Sequence, residues 1–351
     1  MERVNKYKDR LLFAVPKKGR LYTNCVDLLK KIGMKFSRKP RHDLALVSNL
    51  PILLVFLPAS DIPMYVAEGN VDMGITGYDF VVETQVEDRV KQVMDLGFGA
   101  CKLQVAVPKE SIYGSGRSSH YPSDNEDEVD TLERKKTALS REKEHVYKQV
   151  LRSLAGGRVV TSFPVLTKQY FAGVEFEDLV SLEARNAREL REKSKTFAEP
   201  STKILYVSGS VEAACGLGLA DAIVDLVDTG ETLTAVGLVP IATILETQAK
   251  LISNLSSKRL ELVSLLQRRI QGVLDADRYM LCQYNVEKNR VNEAIEITPG
   301  KKAPSVMGLQ QPNWVSVNAM IEKSNMAEIL DKLTDIGATD ILVMALENCR
   351  V

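Results

Sequence analysis

The hydrophobic positions recur in two alternating rhythms. Short apolar, β-branched runs of four to eight residues alternate with longer stretches in which apolar residues return every three or four positions. Leu11 to Val15 reads as a strand, Pro16-Lys-Lys-Gly-Arg20 as a loop, and Leu21 to Ile32 as an amphipathic helix ending at Gly33. Leu44 to Val47 and Leu53 to Leu57 follow as strands. Asp61-Ile-Pro63 opens a helix, with Asp61 as its cap, and Gly69 closes it. Val71 to Ile75, Cys101 to Val107, Arg158 to Thr161 and Ile204 to Val207 read as strands. Glu144 to Leu154, Lys168 to Phe171 and Val211 to Leu219 read as helical. Alternating strands and helices predict an α/β layer architecture.

Beyond Gly237 the rhythm changes. Leu238 to Glu246 reads as a strand and Ser257 to Val273 as a helix. Tyr279 to Tyr284, Val291 to Ile295, Trp314 to Met320 and Asp340 to Met344 read as strands, with a helix at Met326 to Ile336. That order suits a separate α+β domain of about 90 residues. Two stretches break the pattern. Residues Ser111 to about Glu144 carry the acidic run Asp124 to Asp130 and read as an inserted surface segment; Leu179 to Pro200 reads as a second, smaller insertion.

Composition narrows the function classes. The 351 residues are 45% hydrophobic and 26% charged with a formal net charge of zero, so no basic excess argues for nucleic acid. The apolar stretch Leu44 to Ala59 is broken by Asn49, Pro51 and Pro58, which argues for buried strand over membrane span. Five scattered cysteines without a C-x-x-C pair, and three histidines, argue against a Cys/His metal site and for a reducing, cytoplasmic setting.

The densest chemistry lies in Asp221-Ala-Ile-Val-Asp-Leu-Val-Asp-Thr-Gly-Glu-Thr-Leu233. A buried strand ends in carboxylates, then a small-residue turn precedes a helix start. A carboxylate at a strand end can accept hydrogen bonds from a ribose diol, and the turn frees backbone N–H groups to face a phosphate. Lys17-Lys18-Gly19-Arg20 also joins a strand to a helix. Arg20 offers a bidentate fork for phosphate; a solvated basic loop is the alternative. Ser208-Gly209-Ser210-Val211-Glu212 is a third strand-to-helix turn. Its hydroxyls and N–H groups could hold a second phosphate, and Glu212 could meet a hydroxyl or Mg²⁺; an unliganded serine cap is the alternative. Asp72 to Asp79 ends a strand with two glycines, for close packing or for close approach to a ligand. Lys102 reads as a surface lysine and Trp314 as core.

In this order the motifs resemble the ATP phosphoribosyltransferase family. The stretches that carry the resemblance are Phe13 to Arg20, Leu57 to Pro63, Asp72 to Gly77, Leu205 to Glu212, Asp221 to Leu233, Ile270 to Val273, Ile297 to Gly300 and Gly337 to Val351. The tail Glu347-Asn-Cys-Arg-Val351 is similar to the fungal branch.

The resemblance implies transfer of phosphoribosyl from 5-phosphoribosyl-1-pyrophosphate to adenine N1 of ATP, the first step of L-histidine biosynthesis. It implies a catalytic part of two lobes, similar to periplasmic binding proteins. Lobe I would be 1–107 with a return segment of about 233–256; lobe II would be 108–232 and would hold the insertion. An ACT-like regulatory domain would follow over 257–351.

By that match Arg20, Glu212 and Asp225 carry catalysis. Asp225 would hold the ribose hydroxyls, and Asp228, Thr229, Gly230, Glu231 and Thr232 the 5-phosphate. Ser208 to Val211 would lie beside them. Lys18 and Gly19 would face the substrates with Arg20, and Thr76, Gly77 and Tyr78 would border the same cleft. Mg²⁺ would travel with the pyrophosphate near Glu212, with no fixed protein site. L-Histidine would inhibit at Asn285, Ala303, Ser305, Ala319 and Met320, in a homo-oligomer of dimers to hexamers, with neither nucleic acid nor membrane as partner. A turnover-free sensor of the same fold, or a different phosphoribosyltransferase, are the competing classes. The second usually places two adjacent acidic residues before its phosphate loop, whereas here Leu226 and Val227 separate Asp225 from Asp228.

Overall fold

A computed structural model describes residues 9–39, 41–113, 141, 143–176 and 199–350. Most of both insertions lies outside the described residues. The strands in chain order are β1 (Leu11–Pro16), β2 (Leu44–Leu46), β3 (Ile52–Leu57), β4 (Met73–Gly77), β5 (Val90–Asp95), β6 (Cys101–Pro108), β7 (Arg158–Thr161), β8 (Lys203–Tyr206), β9 (Ala222–Val227), β10 (Leu238–Thr247), β11 (Ala249–Asn254), β12 (Tyr279–Glu287), β13 (Ser305–Gly308), β14 (Trp314–Glu322) and β15 (Thr339–Ala345).

They form three sheets: β2-β3-β1-β4-β11-β5, β10-β6-β9-β7-β8 and β13-β14-β12-β15. Contacts divide the chain into two compact units. One holds the residues up to Phe13, Tyr22–Val55 and everything from Ser257 on; the other holds Ala14–Leu21 and Phe56–Ser256.

The second unit carries the five-stranded sheet. Parallel pairs β7–β8 and β7–β9 sit beside antiparallel β6–β9 and β10–β6. One face packs Leu103, Val105, Val107, Val159, Ala222 and Val224 against Phe163, Leu166, Tyr170 and Phe171 of the helix side. The other packs Ala106, Val160, Ile223 and Val227 against Val211, Ala214 and Leu233. Alternate residues of β9 thus face opposite cores, which explains why this strand reads as a continuous apolar run.

Strand pairing moves one boundary of the sequence reading. β6 and β10 pair with each other in the five-stranded sheet, with Cys101 opposite Thr247. The chain therefore leaves the first sheet between Asp95 and Cys101 and returns between Thr247 and Ala249, not at Val107 and near residue 233. β5 and β11, which the sequence reading left out, complete the first sheet by pairing with each other.

The first unit carries the helix Arg20–Lys31 from Tyr22 onward. Cys25, Leu28, Leu29 and Ile32 are buried at helical spacing, Lys30 and Lys31 sit in the last turn, and Gly33 ends the helix at φ +81°. In the helix Ile62–Ala67, Asp61 occupies the N-cap position but makes no side-chain capping bond, contrary to its expected role; Ser60 donates to its carboxylate instead.

From Tyr279 the chain runs β-α-β-β-α-β, with β12 and β14 central, the split topology in which two helices cover one sheet face. Val291–Ile297 is a helix, not the strand its β-branched composition predicts. Ala294 is fully buried, and Val291 and Ile297 pack on the same core at i, i+3 spacing, so tertiary burial overrides propensity. Tyr284 fixes this helix by donating to the Ala294 carbonyl while bonding Thr298. Among the described residues no helix is long and apolar enough to cross a membrane.

Candidate active site

Four segments nominated from sequence lie in the second unit, and each follows a strand. Lys17-Lys-Gly-Arg20 follows β1. Lys18, Gly19 and Arg20 are exposed, and Gly19 turns the chain at φ +85°, a conformation an L side chain would resist. Arg20 Nη2 donates to Cys101 Sγ at 2.6 Å. The guanidinium therefore reaches from the loop after β1 to the first residue of β6.

Asp225 lies near the carboxyl end of β9, half-buried, and accepts the Leu226 N–H at 2.8 Å. Desolvation pushes its carboxyl above the ordinary carboxylate range. The Glu212 charge pushes it further up, while the Leu226 bond and the Arg20 charge pull it down. Glu212 and Arg20 thus both act on Asp225 although they come from the other two loops. Loops at the carboxyl ends of parallel strands are where open α/β sheets bind ligands.

The turn after β9 matches its sequence reading. Asp228, Thr229, Glu231 and Thr232 are exposed. Gly230 adopts φ +81° at the N-cap of the helix Glu231–Ala235. The first N–H groups of such a helix have no partner inside it. After β8, Ser208, Gly209 and Ser210 are exposed, and Ser210 holds φ +52°, a strained value for a residue with a Cβ. Val211 instead turns inward into the core, so it anchors the loop and offers no side chain to a ligand. The helix beyond is only Ala213–Gly216, shorter than its apolar pattern predicts.

The turn after β4 behaves differently. Thr76 is fully buried and donates to the Ala59 carbonyl at 2.7 Å, so its side chain is committed to the fold. Tyr78 places its ring under the Lys250 ammonium, 4.8 Å away. Burial raises its phenol, and Glu87 raises it further. Gly77 is buried beside Asp79, a residue only 1% exposed.

Cys101 and Asp79 were missed by sequence reading. Burial is the first cause raising the Cys101 thiol. Arg20 lowers it, and the charges of Asp79 and Asp228 raise it. Nothing in the local sequence marks either residue, because their partners lie far away along the chain. Lys102 is half-exposed and paired with Glu246 at 2.8 Å, as a surface lysine would be. Among the described residues no group of three or more His, Cys, Asp or Glu is placed to hold a metal ion.

In the first unit the nominated effector residues are dispersed over the four-stranded sheet. Asn285 on β12 stands opposite Ser316 and donates to Asp340 at 2.8 Å. Ser305 on β13 stands opposite Asn318. Ala319 is buried on β14, one residue out of phase with Ser316 and Asn318. Ala303 is exposed in the loop before β13. Met320 lines an open cavity of about 890 Å³ together with Tyr279, Thr298, Gly300, Glu322 and Ile329.

Residues 58–272 match the family model for ATP phosphoribosyltransferase, and residues 276–348 match the model for the C-terminal domain of the same family. The chain is 44% identical over 355 residues to the ATP phosphoribosyltransferase of Candida glabrata, and 42% identical over 356 residues to that of Schizosaccharomyces pombe. In both cases all of each chain is covered. Among solved structures, the ATP phosphoribosyl transferase (HisG:HisZ) complex from Thermotoga maritima shares the fold at TM-score 0.51 and 23% identity, over 76% of this chain and 98% of that one. With both family models matched in order and full-length relatives above 40% identity, the chain belongs to the ATP phosphoribosyltransferase family.

Proposed function

We propose that the protein transfers phosphoribosyl from 5-phosphoribosyl-1-pyrophosphate to N1 of the adenine of ATP, giving phosphoribosyl-ATP and pyrophosphate, as the first step of L-histidine biosynthesis. The observation that carries the reading is the convergence on Asp225. A half-buried carboxylate at a strand end feels Arg20 and Glu212 from two other loops, and the Gly230 turn follows it directly.

In this reading Asp225 accepts the ribose hydroxyls. The N–H groups and hydroxyls of Asp228 to Thr232 take the 5-phosphate, with Ser208, Gly209 and Ser210 beside them. Lys18, Gly19 and Arg20 meet the pyrophosphate or the ATP phosphates, and Gly77 and Tyr78 border the site. The adenine N1 lone pair forms the new bond to the anomeric carbon while the bond from that carbon to the pyrophosphate oxygen breaks, with inversion. The bonding pair leaves on pyrophosphate. N1 already carries its lone pair, so no strong general base is required. Positioning and charge neutralisation supply the rate. Mg²⁺ enters with the pyrophosphate as part of the substrate, and the neighbouring carboxylates Glu212 and Asp225 are the protein groups suited to face it.

The C-terminal β-α-β-β-α-β domain serves, in the same proposal, as an ACT-like regulatory module. It binds L-histidine around Asn285, Ala303, Ser305, Ala319 and Met320 in a homo-oligomer of dimers to hexamers. Histidine inhibits only if it binds one state of the assembly better than another. Nucleic acid and membrane have no part in the reading. A cytoplasmic setting fits the five cysteines, all of them free thiols.

The test is turnover. Purified protein with ATP, phosphoribosyl pyrophosphate, Mg²⁺ and pyrophosphatase should show a near-ultraviolet change that needs both substrates and falls with L-histidine. Binding of both substrates without that change would favour the sensor.

A further inference from the structure

Asp79 is a buried carboxylate with no role in the mechanism above. One of its oxygens is well satisfied: Thr247 Oγ1 donates to Oδ1 at 2.7 Å and accepts the Asp79 N–H at 2.9 Å. The other, Oδ2, is buried and accepts no hydrogen bond from the described residues. Space for the group exists only because residue 77 is glycine, since a Cβ there would lie 2.2 Å from Oδ1. Keeping a charge in such a place is costly unless another charge uses it. An asparagine would fill the same shape and accept the same Thr247 bond, so what sets the carboxyl apart is the charge it can carry beside a cation.

Burial raises the Asp79 carboxyl above the ordinary carboxylate range; the Thr247 hydrogen bond, a backbone hydrogen bond and then the Arg20 guanidinium pull it back down, so Arg20 is a charge that favours the ionised form. The two are also linked through the fold. Thr247, which clasps Asp79, stands opposite Cys101 in the β10–β6 ladder, and Cys101 accepts the Arg20 hydrogen bond. The pair Thr247–Cys101 lies where the chain passes between the six-stranded and the five-stranded sheet. Asp79 is thus anchored to one strand of the ladder and Arg20 to the other.

We propose that Asp79 is a positioning residue for Arg20: its buried charge and the Thr247–Cys101 pair hold the guanidinium oriented before the phosphates of the substrate arrive. Asp79 touches no substrate and acts only through Arg20. The inference rests on the reading that Arg20 meets substrate phosphate.

A double-mutant cycle tests it, with kcat/KM for phosphoribosyl pyrophosphate and thermal midpoint measured for Asp79→Asn, Arg20→Ala and the double variant. Asp79→Asn should lower kcat/KM on the order of tenfold, the scale of one lost charge–charge interaction across a partly desolvated site. Within the Arg20→Ala background the same change should have almost no effect, because its target is gone. Equal losses in both backgrounds, or no loss in either, would overturn the positioning role. An unaffected Arg20→Ala enzyme would instead overturn the underlying assignment of Arg20, which keeps the two failures distinct. Thr247→Val, which removes the clasp without touching Asp79, should repeat the tenfold loss in the parent and lose it in Arg20→Ala, and Thr247→Ser should restore the parent rate. If Thr247→Val matches the parent, or Thr247→Ser fails to restore it, the clasp has no part in positioning. The Thr247 pair also decides the question if Asp79→Asn does not fold.

Discussion

The two kinds of candidate site in this molecule are built in opposite ways. The catalytic candidates ride on loops that leave the ends of β1, β8 and β9, with backbone turned to positive φ at Gly19, Ser210 and Gly230. Each loop is a short contiguous run, and its polar groups project away from the apolar strand that precedes it. The effector candidates are spread over four segments: Asn285 on β12, Ala303 in a loop, Ser305 on β13, and the adjacent Ala319 and Met320 on β14, whose side chains leave opposite faces of the strand. The difference teaches where function can be concentrated. A loop at a strand end can commit five consecutive residues to one phosphate, whereas a strand spends every second residue on its core.

Breaking the loop-borne site should give the largest effects. Asp225→Ala removes the carboxylate on which the other two loops converge. It should lower kcat/KM for phosphoribosyl pyrophosphate by about a hundredfold or more, in line with losing a positioned polar group at a reacting ribose. The thermal midpoint should stay near that of the parent; near-normal turnover would misplace the ribose site. Gly230→Ala should come next. A Cβ at φ +81° costs roughly 1–2 kcal/mol and tilts the turn, so KM should rise on the order of tenfold.

The strand-borne site should respond more gently. Asn285→Ala removes one amide and frees Asp340, so the histidine concentration for half-inhibition should rise on the order of tenfold while turnover without histidine stays unchanged. Unaltered inhibition would move the effector pocket elsewhere, with the Met320 cavity as the first place to look.

The smallest effect separates stability from activity within the catalytic unit. The folded Asp225 carboxyl lies above its ordinary value of 3.8, so in the folded state the charged form is penalised. That penalty is absent below the unfolded pKa and grows as pH rises through and beyond it, towards the raised folded value. Asp225→Asn should therefore match the parent in thermal midpoint at pH 3 and exceed it by a degree or two at pH 7. A variant less stable than the parent at pH 7 would show that Asp225 is stabilised by its neighbours in the empty site.

How much could be read in advance follows the same division. The Asp228 to Thr232 turn was legible because a small-residue turn after an apolar, acid-ended strand has one obvious geometry, and the structure places Gly230 accordingly. Val211, read both within the Ser208 to Glu212 turn and as the start of a helix, packs its side chain inside, and Thr76, read as bordering the cleft, bonds to Ala59. In both cases the direction in which the side chain points depends on neighbours more than ten residues distant. The helix at Val291–Ile297 was hidden for a related reason: its alternation mimics a strand until Tyr284 and the sheet offer a face on which Val291, Ala294 and Ile297 can line up.

Local pattern was enough for most elements and for locating the three strand-to-helix loops proposed to carry the chemistry, since turn formation and amphipathic period act within about ten residues. It was also enough, through the order of those loops, for the family. Which strands pair across the molecule, where the chain passes from one sheet to the next, and that Asp79, Thr247, Cys101 and Arg20 form one network were settled by long-range packing. Asp79 and Thr247 stand 168 residues apart in the chain, and a hydrogen bond over that span exists only after the sheets have closed the loop between them.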